Sequence, residues 1–127
     1  MEEKDKKHVL FADDDPATRR LFGAKIASAG FEVLYAKDGD EELEMARRFQ
    51  PNLIITDIDM PGTDGITAAH RLKSDPATKD IPIIILTNAD LSVDAEKALK
   101  ELRGAEYMSK ATDLSEFIER VNKILGQ

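Results

Sequence analysis

The chain contains no cysteine. Disulfides, thiolate catalysis and cysteine zinc sites are therefore excluded. It also has no apolar run approaching the roughly 18 residues a helix needs to cross a bilayer. Residues 1–7 are almost wholly charged and lack the apolar core of a signal peptide. An excess of positive charge is missing too. Lys and Arg number 18 against 25 Asp and Glu, a net charge of -7. That balance argues against a reader of nucleic-acid phosphates, which needs a basic face, and against a polybasic membrane anchor. Histidine is scarce, and His8 and His70 do not have the spacing of metal ligands. They are read as structural or solvent-facing. What remains is the expectation of a cytoplasmic globular domain. Its 127 residues, 42% of them apolar, are enough for a real core.

Apolar runs alternate with segments of helical period, which is the pattern of βαβ units. Strands are expected near 8–12, 32–36, 53–57, 82–86 and 105–108, and helices near 16–29, 40–49, 65–74, 91–103 and 113–125. The runs at 53–57 and 82–86 are apolar on both faces, as central parallel strands covered by helices must be. The runs at 32–36 and 105–108 are more mixed and belong nearer the edges. Asp15-Pro16 reads as an N-cap followed by proline at the first helical position. Gly30 and Gly104 are expected to end the first and fourth helices, and Asp113 to cap the last. There Leu114, Phe117, Ile118, Val121 and Leu125 form an apolar stripe. On the first helix Ala24, Ile26 and Ala27 are read as core. Five βα units in about 120 residues leave no room for a second domain. Residues 1–127 are thus expected to be one domain, with 1–7 as a flexible start.

Polar residues at the ends of these runs carry the chemistry. Asp13 and Asp14 close the first run, Asp57 closes the third and Asp59 follows it. Lys110 comes just after the last short run. If the strands are parallel, their C-terminal ends meet at one edge, where open α/β sheets bind ligands. Acids crowded there repel one another unless a divalent cation sits among them, and hard oxygen ligands suit magnesium. A lysine supplies a positive charge for an anion such as phosphate.

Four segments, taken together, resemble the receiver domain of two-component response regulators, of the chemotaxis-regulator type. They are Val9-Leu10-Phe11-Ala12-Asp13-Asp14-Asp15-Pro16, Ile54 through Gly65, Ile81 through Thr87, and Ala105 through Lys110. The resemblance implies a flavodoxin-like, doubly wound α/β fold: a five-stranded parallel sheet of order 2-1-3-4-5 with five helices. It implies a phosphorelay function in which a histidine kinase, a phosphotransfer protein or a small phosphodonor phosphorylates Asp57. Asp13 and Asp14 match the acidic pair that holds Mg2+ (or Mn2+) together with Asp57. Asp59 matches the residue that offers its backbone carbonyl to the same ion. Lys110 matches the lysine that pairs with the phosphoryl oxygens, Thr87 the hydroxyl that moves toward them, and Tyr107 the aromatic switch residue. A downstream protein would read the face formed by residues 91–125. Neither direct nucleic-acid contact nor a membrane is implied, and catalysis is limited to self-phosphorylation and autodephosphorylation.

The chain departs from the family pattern in three places. Asn88 follows Thr87, where relatives carry a very small residue, and could crowd or shield a phosphoryl group. Ala111 follows Lys110, where relatives carry proline, often cis. A cis bond costs a non-proline residue about 2.5–4 kcal/mol, so a trans bond is expected. Asp59 adds a fourth acid. Two alternatives follow from these residues. One is a degenerate receiver that binds partners without phosphorylation. The other is a haloacid-dehalogenase-like phosphohydrolase, because Asp57-Ile58-Asp59 resembles the Asp-x-Asp nucleophile motif.

Overall fold

A computed structural model describes residues 6–87 and 92–126. The start at 1–5 and Asn88 lie outside the described residues. Five strands, β1 (His8–Ala12), β2 (Glu32–Ala36), β3 (Leu53–Asp57), β4 (Ile83–Thr87) and β5 (Ala105–Ser109), alternate with five helices. These are α1 (Pro16–Ser28), α2 (Gly39–Phe49), α3 (Gly65–Ser74), α4 (Val93–Lys100) and α5 (Leu114–Leu125). All strand pairs are parallel and the order is β2-β1-β3-β4-β5. This is the expected flavodoxin-like arrangement. Lys7, at the end of the start segment, already accepts a hydrogen bond from the Glu32 amide at 2.9 Å.

Strand alternation divides the core into two layers. Leu10, Ala12, Ile54, Ile83 and Ile85 face α2, α3 and α4, packing with Ala46, Ala69, Leu72 and Leu99. Val9, Phe11, Leu53, Ile55, Ile84 and Leu86 face α1 and α5, packing with Phe22, Ile26, Phe117, Val121 and Leu125. β3 and β4 are buried along their whole length, which is why their sequences are apolar on both faces. Phe22 stacks on Phe11 with centroids 5.7 Å apart and meets Phe117 edge-on at 5.1 Å. It thus joins α1, β1 and α5. Of the α1 residues read as core, only Ile26 is buried; Ala24 and Ala27 face solvent. The helix buries Phe22, Gly23 and Ile26 instead, an i, i+1, i+4 stripe offset from the one expected.

The caps follow local chemistry. The Asp15 side chain accepts from the Ala17 amide, Asp113 from Ser115 and Asp64 from Thr67. Gly30, at φ 100°, follows the Ala29 cap of α1. The fourth helix is shorter than expected. It ends at Lys100 with Glu101 as cap, so Gly104 does not terminate it. Leu102 drops into the core as the chain leaves the helix, its amide bonded to the Leu99 carbonyl at 3.1 Å. Gly104, at φ 80°, serves the turn into β5.

Candidate functional site

Strand register assembles the site. Ala12 pairs with Thr56, so Asp13 leaves β1 beside Asp57 at the end of β3. Asp57 pairs with Leu86 and Thr87 with Ser109, which brings Thr87 and Lys110 to the same edge. Residues separated by almost 100 positions in sequence therefore converge because parallel strands end together.

Asp13 is fully buried and Asp57 nearly so, whereas Asp14 is exposed. Their carboxylate oxygens lie within 4.8 Å of one another. The Lys110 ammonium lies 3.0 Å from Asp13 Oδ2 and 3.0 Å from Asp57 Oδ1. Asp13 Oδ1 accepts from the Asp15 amide at 2.9 Å, and Oδ2 meets the Lys110 ammonium. Thr87 is buried, and its carbonyl accepts the Lys110 amide at 2.7 Å, tying the lysine to the end of β4. No cis peptide bond occurs among the described residues, so the Lys110–Ala111 bond is trans.

Three acids against one ammonium leave negative charge uncompensated. Burial pushes the Asp57 carboxyl up; the Lys110 hydrogen bond opposes this, while the charges of Asp13 and Asp59 add to it. Burial works against the Lys110 ammonium, but its bonds to Asp13 and Asp57 outweigh that, and its pKa is raised. The residues therefore hold a surplus of hard oxygen donors around one partly buried point, a set suited to a divalent cation. Asp59 is exposed and its carboxylate lies outside the group of three. Tyr107, on edge strand β5, is 48% exposed and lines a surface cavity with Met108, Glu116 and Arg120.

Two further contributors, Arg19 and Glu42, were missed from sequence, and Gly65 shapes the site as well. The Arg19 guanidinium donates to the Asp13 carbonyl at 2.6 Å, bracing the β1 end from α1. Gly65 allows the chain to double back: a Cβ there would lie 2.2 Å from the Asp57 carbonyl oxygen. Glu42 is fully buried and accepts the Thr56 hydroxyl at 2.8 Å. Its signal was present in sequence, because Glu42 interrupts the α2 stripe of Gly39 and Ala46 at helical spacing.

The family model of the response regulator receiver domain matches residues 9–122. The chain belongs to this family. It is a receiver related to PleD of Caulobacter vibrioides, 36% identical over 116 residues, which are 91% of this chain and 25% of that protein. It is 32% identical to PilH of Pseudomonas aeruginosa over 119 residues, covering 93% and 97% of the two chains. Among solved structures, the receiver domain of sensor histidine kinase PA1611 from Pseudomonas aeruginosa has the same fold. Its TM-score is 0.85 at 24% identity, with 96% of this chain and 99% of that one covered. That structure carries a magnesium ion in its active site cleft. The receiver thus spans a quarter of the length of PleD and nearly all of PilH. The haloacid-dehalogenase alternative finds no support in these matches.

Proposed function

We propose that this receiver is a cytoplasmic phosphorylatable switch with Asp57 as phosphoacceptor. The observation that carries the reading is the Lys110 ammonium held 3.0 Å from both Asp13 and Asp57. The lysine keeps an acceptor carboxylate beside a cation that can take up phosphoryl oxygens. An Asp57 oxygen forms the new bond to phosphorus as the donor's bond breaks. The electron pair leaves on the imidazole nitrogen of a kinase or phosphotransfer protein, or on acetate from a small donor. The receiver catalyses this transfer and its own dephosphorylation, and turns over no other substrate.

Magnesium or manganese fits the donor set of Asp13, Asp14 and Asp57, since three carboxylates meet at one point with the single ammonium of Lys110 beside them. The backbone carbonyl of Asp59 would complete it. When bound, the ion offsets repulsion between carboxylate and phosphoryl group.

The acyl phosphate adds roughly -1.5 to -2 charge and three acceptor oxygens. Lys110 then exchanges part of its ion pairing with Asp13 for the new oxygens, and the Thr87 hydroxyl becomes a donor to them. Because the Lys110 amide is bonded to Thr87, movement of either reaches β4 and β5 together. Tyr107 on β5 reports the change to the surface of α4, β5 and α5, where a downstream protein docks. Contacts made only after phosphorylation are what shift a two-state equilibrium. The test is intact mass after incubation with acetyl phosphate and magnesium, beside Asp57→Asn. Gain of one phosphoryl group by the native chain alone supports the reading. Absence of any gain, from acetyl phosphate and from a histidine kinase alike, favours the degenerate receiver that binds partners constitutively.

A further inference from the structure

Glu42 lies on the first turn of α2 with its side chain entirely buried. One oxygen accepts the Thr56 hydroxyl at 2.8 Å, and the other has no hydrogen-bond partner among the described residues. An acid buried with one bond costs several kcal/mol of desolvation that an apolar residue of similar size would not. Stability alone therefore does not account for it.

Its geometry points to the acceptor strand. The Thr56 hydroxyl lies 2.8 Å from Glu42 Oε1 and 3.3 Å from the Asp57 carbonyl oxygen. A hydroxyl has a single proton to donate, so the two acceptors compete for it. That same Asp57 carbonyl faces the hydrogen of Gly65, where no Cβ fits. The α2 turn grips the segment again beyond Asp59, because the Thr63 hydroxyl donates to Asp40 at 2.8 Å. The backbone of Thr63 also packs so closely on Gly39 that a Cβ there would lie 2.2 Å from its carbonyl oxygen. One helical turn thus holds both ends of the segment 56–63, which carries Asp57 and Asp59.

We propose that Glu42 is a positioning residue for phosphorylation: it draws the Thr56 hydroxyl away from the Asp57 carbonyl and so sets the backbone from which the acceptor carboxylate projects. The inference rests on Asp57 being the acceptor. Among the described residues the other acceptor within reach of the hydroxyl is the Asp57 carbonyl, so removing Glu42 leaves it that bond. That pulls on the peptide after the acceptor, in a space that Gly65 leaves no slack to absorb.

The experiment is phosphoryl uptake from acetyl phosphate with magnesium, per folded molecule, well below the melting temperature. The chains compared are native, Glu42→Gln, Glu42→Leu, Thr56→Val and the Leu/Val double variant. Glu42→Gln keeps a carbonyl acceptor for Thr56 and should stay within about twofold of native, while Glu42→Leu should slow about tenfold, the scale of a small misplacement of reacting groups. In the double variant no hydroxyl is left to misdirect, so its rate should recover to that of Thr56→Val alone. A role in stability alone would lower melting temperatures and leave the rates of folded protein equal. Native uptake with equal rates in Glu42→Leu overturns the positioning role and leaves Asp57 as acceptor. Failure of the native chain to take up phosphoryl from any donor overturns both.

Discussion

Replacing Glu42 by glutamine tests how the interior treats a charge. Burial pushes the Glu42 carboxyl up from 4.5 to about 8, with the Thr56 hydroxyl opposing the shift. The unfolded chain loses this proton near pH 4.5, whereas the folded chain keeps it until about pH 8. Between those values the folded state binds more protons. Stability therefore falls as pH rises through this window, levels off above it, and carries no penalty below it. Each pH unit costs about 1.4 kcal/mol, so the penalty reaches about 3 kcal/mol at pH 7. Glutamine has the same shape and no proton to lose. Urea unfolding of both chains at pH 5, 6, 7 and 8, in chelator and at constant ionic strength, measures the difference. The two should be similar at pH 5, and the variant should gain about 3 kcal/mol over the native chain by pH 7. The Asp57 contribution has the same sign but is common to both chains and cancels. Parallel stability profiles would refute the reasoning, since they would mean that Glu42 ionises in the fold as readily as in the unfolded chain.

Magnesium at about 100 times its dissociation constant should stabilise the native receiver by about 2.7 kcal/mol, seen as a higher melting temperature that a chelator reverses. No response to chelator would remove the cation from the acidic group. Lys110→Met leaves Asp13 and Asp57 facing each other without their cation and should cost about 3 kcal/mol in chelator, part of which magnesium restores; an unchanged melting temperature in chelator would contradict that charge balance. Gly65→Ala forces a Cβ against the Asp57 carbonyl; calorimetry should show a loss of about 1–3 kcal/mol, together with slower phosphoryl uptake. Phe22→Ala removes the ring that links Phe11 and Phe117 and should cost about 3–5 kcal/mol in urea unfolding without altering magnesium affinity.

Element type and order were legible because each βα unit carries its own periodicity. Runs such as Ile83-Ile84-Ile85-Leu86, short and rich in β-branched residues, suit a strand covered on both faces, and each Asp cap marks a helix start locally. Less legible was which face of α1 turns inward, since Ala24 and Ala27 are apolar enough for either side and the choice falls to the Phe22 contacts with β1 and α5. The length of α4 was also hidden. Leu102 continues the apolar pattern but is buried from an irregular turn instead of a helix.

The sequence by itself determined that acids and a lysine stand at strand ends, because strand ends and caps are local properties. Only the tertiary structure decided the 3.0 Å spacing of Lys110 from Asp13 and Asp57, since it depends on the pairing register of three strands that are remote in the chain. It also decided the fate of Glu42. In sequence this is one charged residue among several at the start of a helix. In the fold, packing of α2 against the sheet takes its carboxyl out of water and sets it against the Thr56 hydroxyl, because burial belongs to the assembled core and not to the residue.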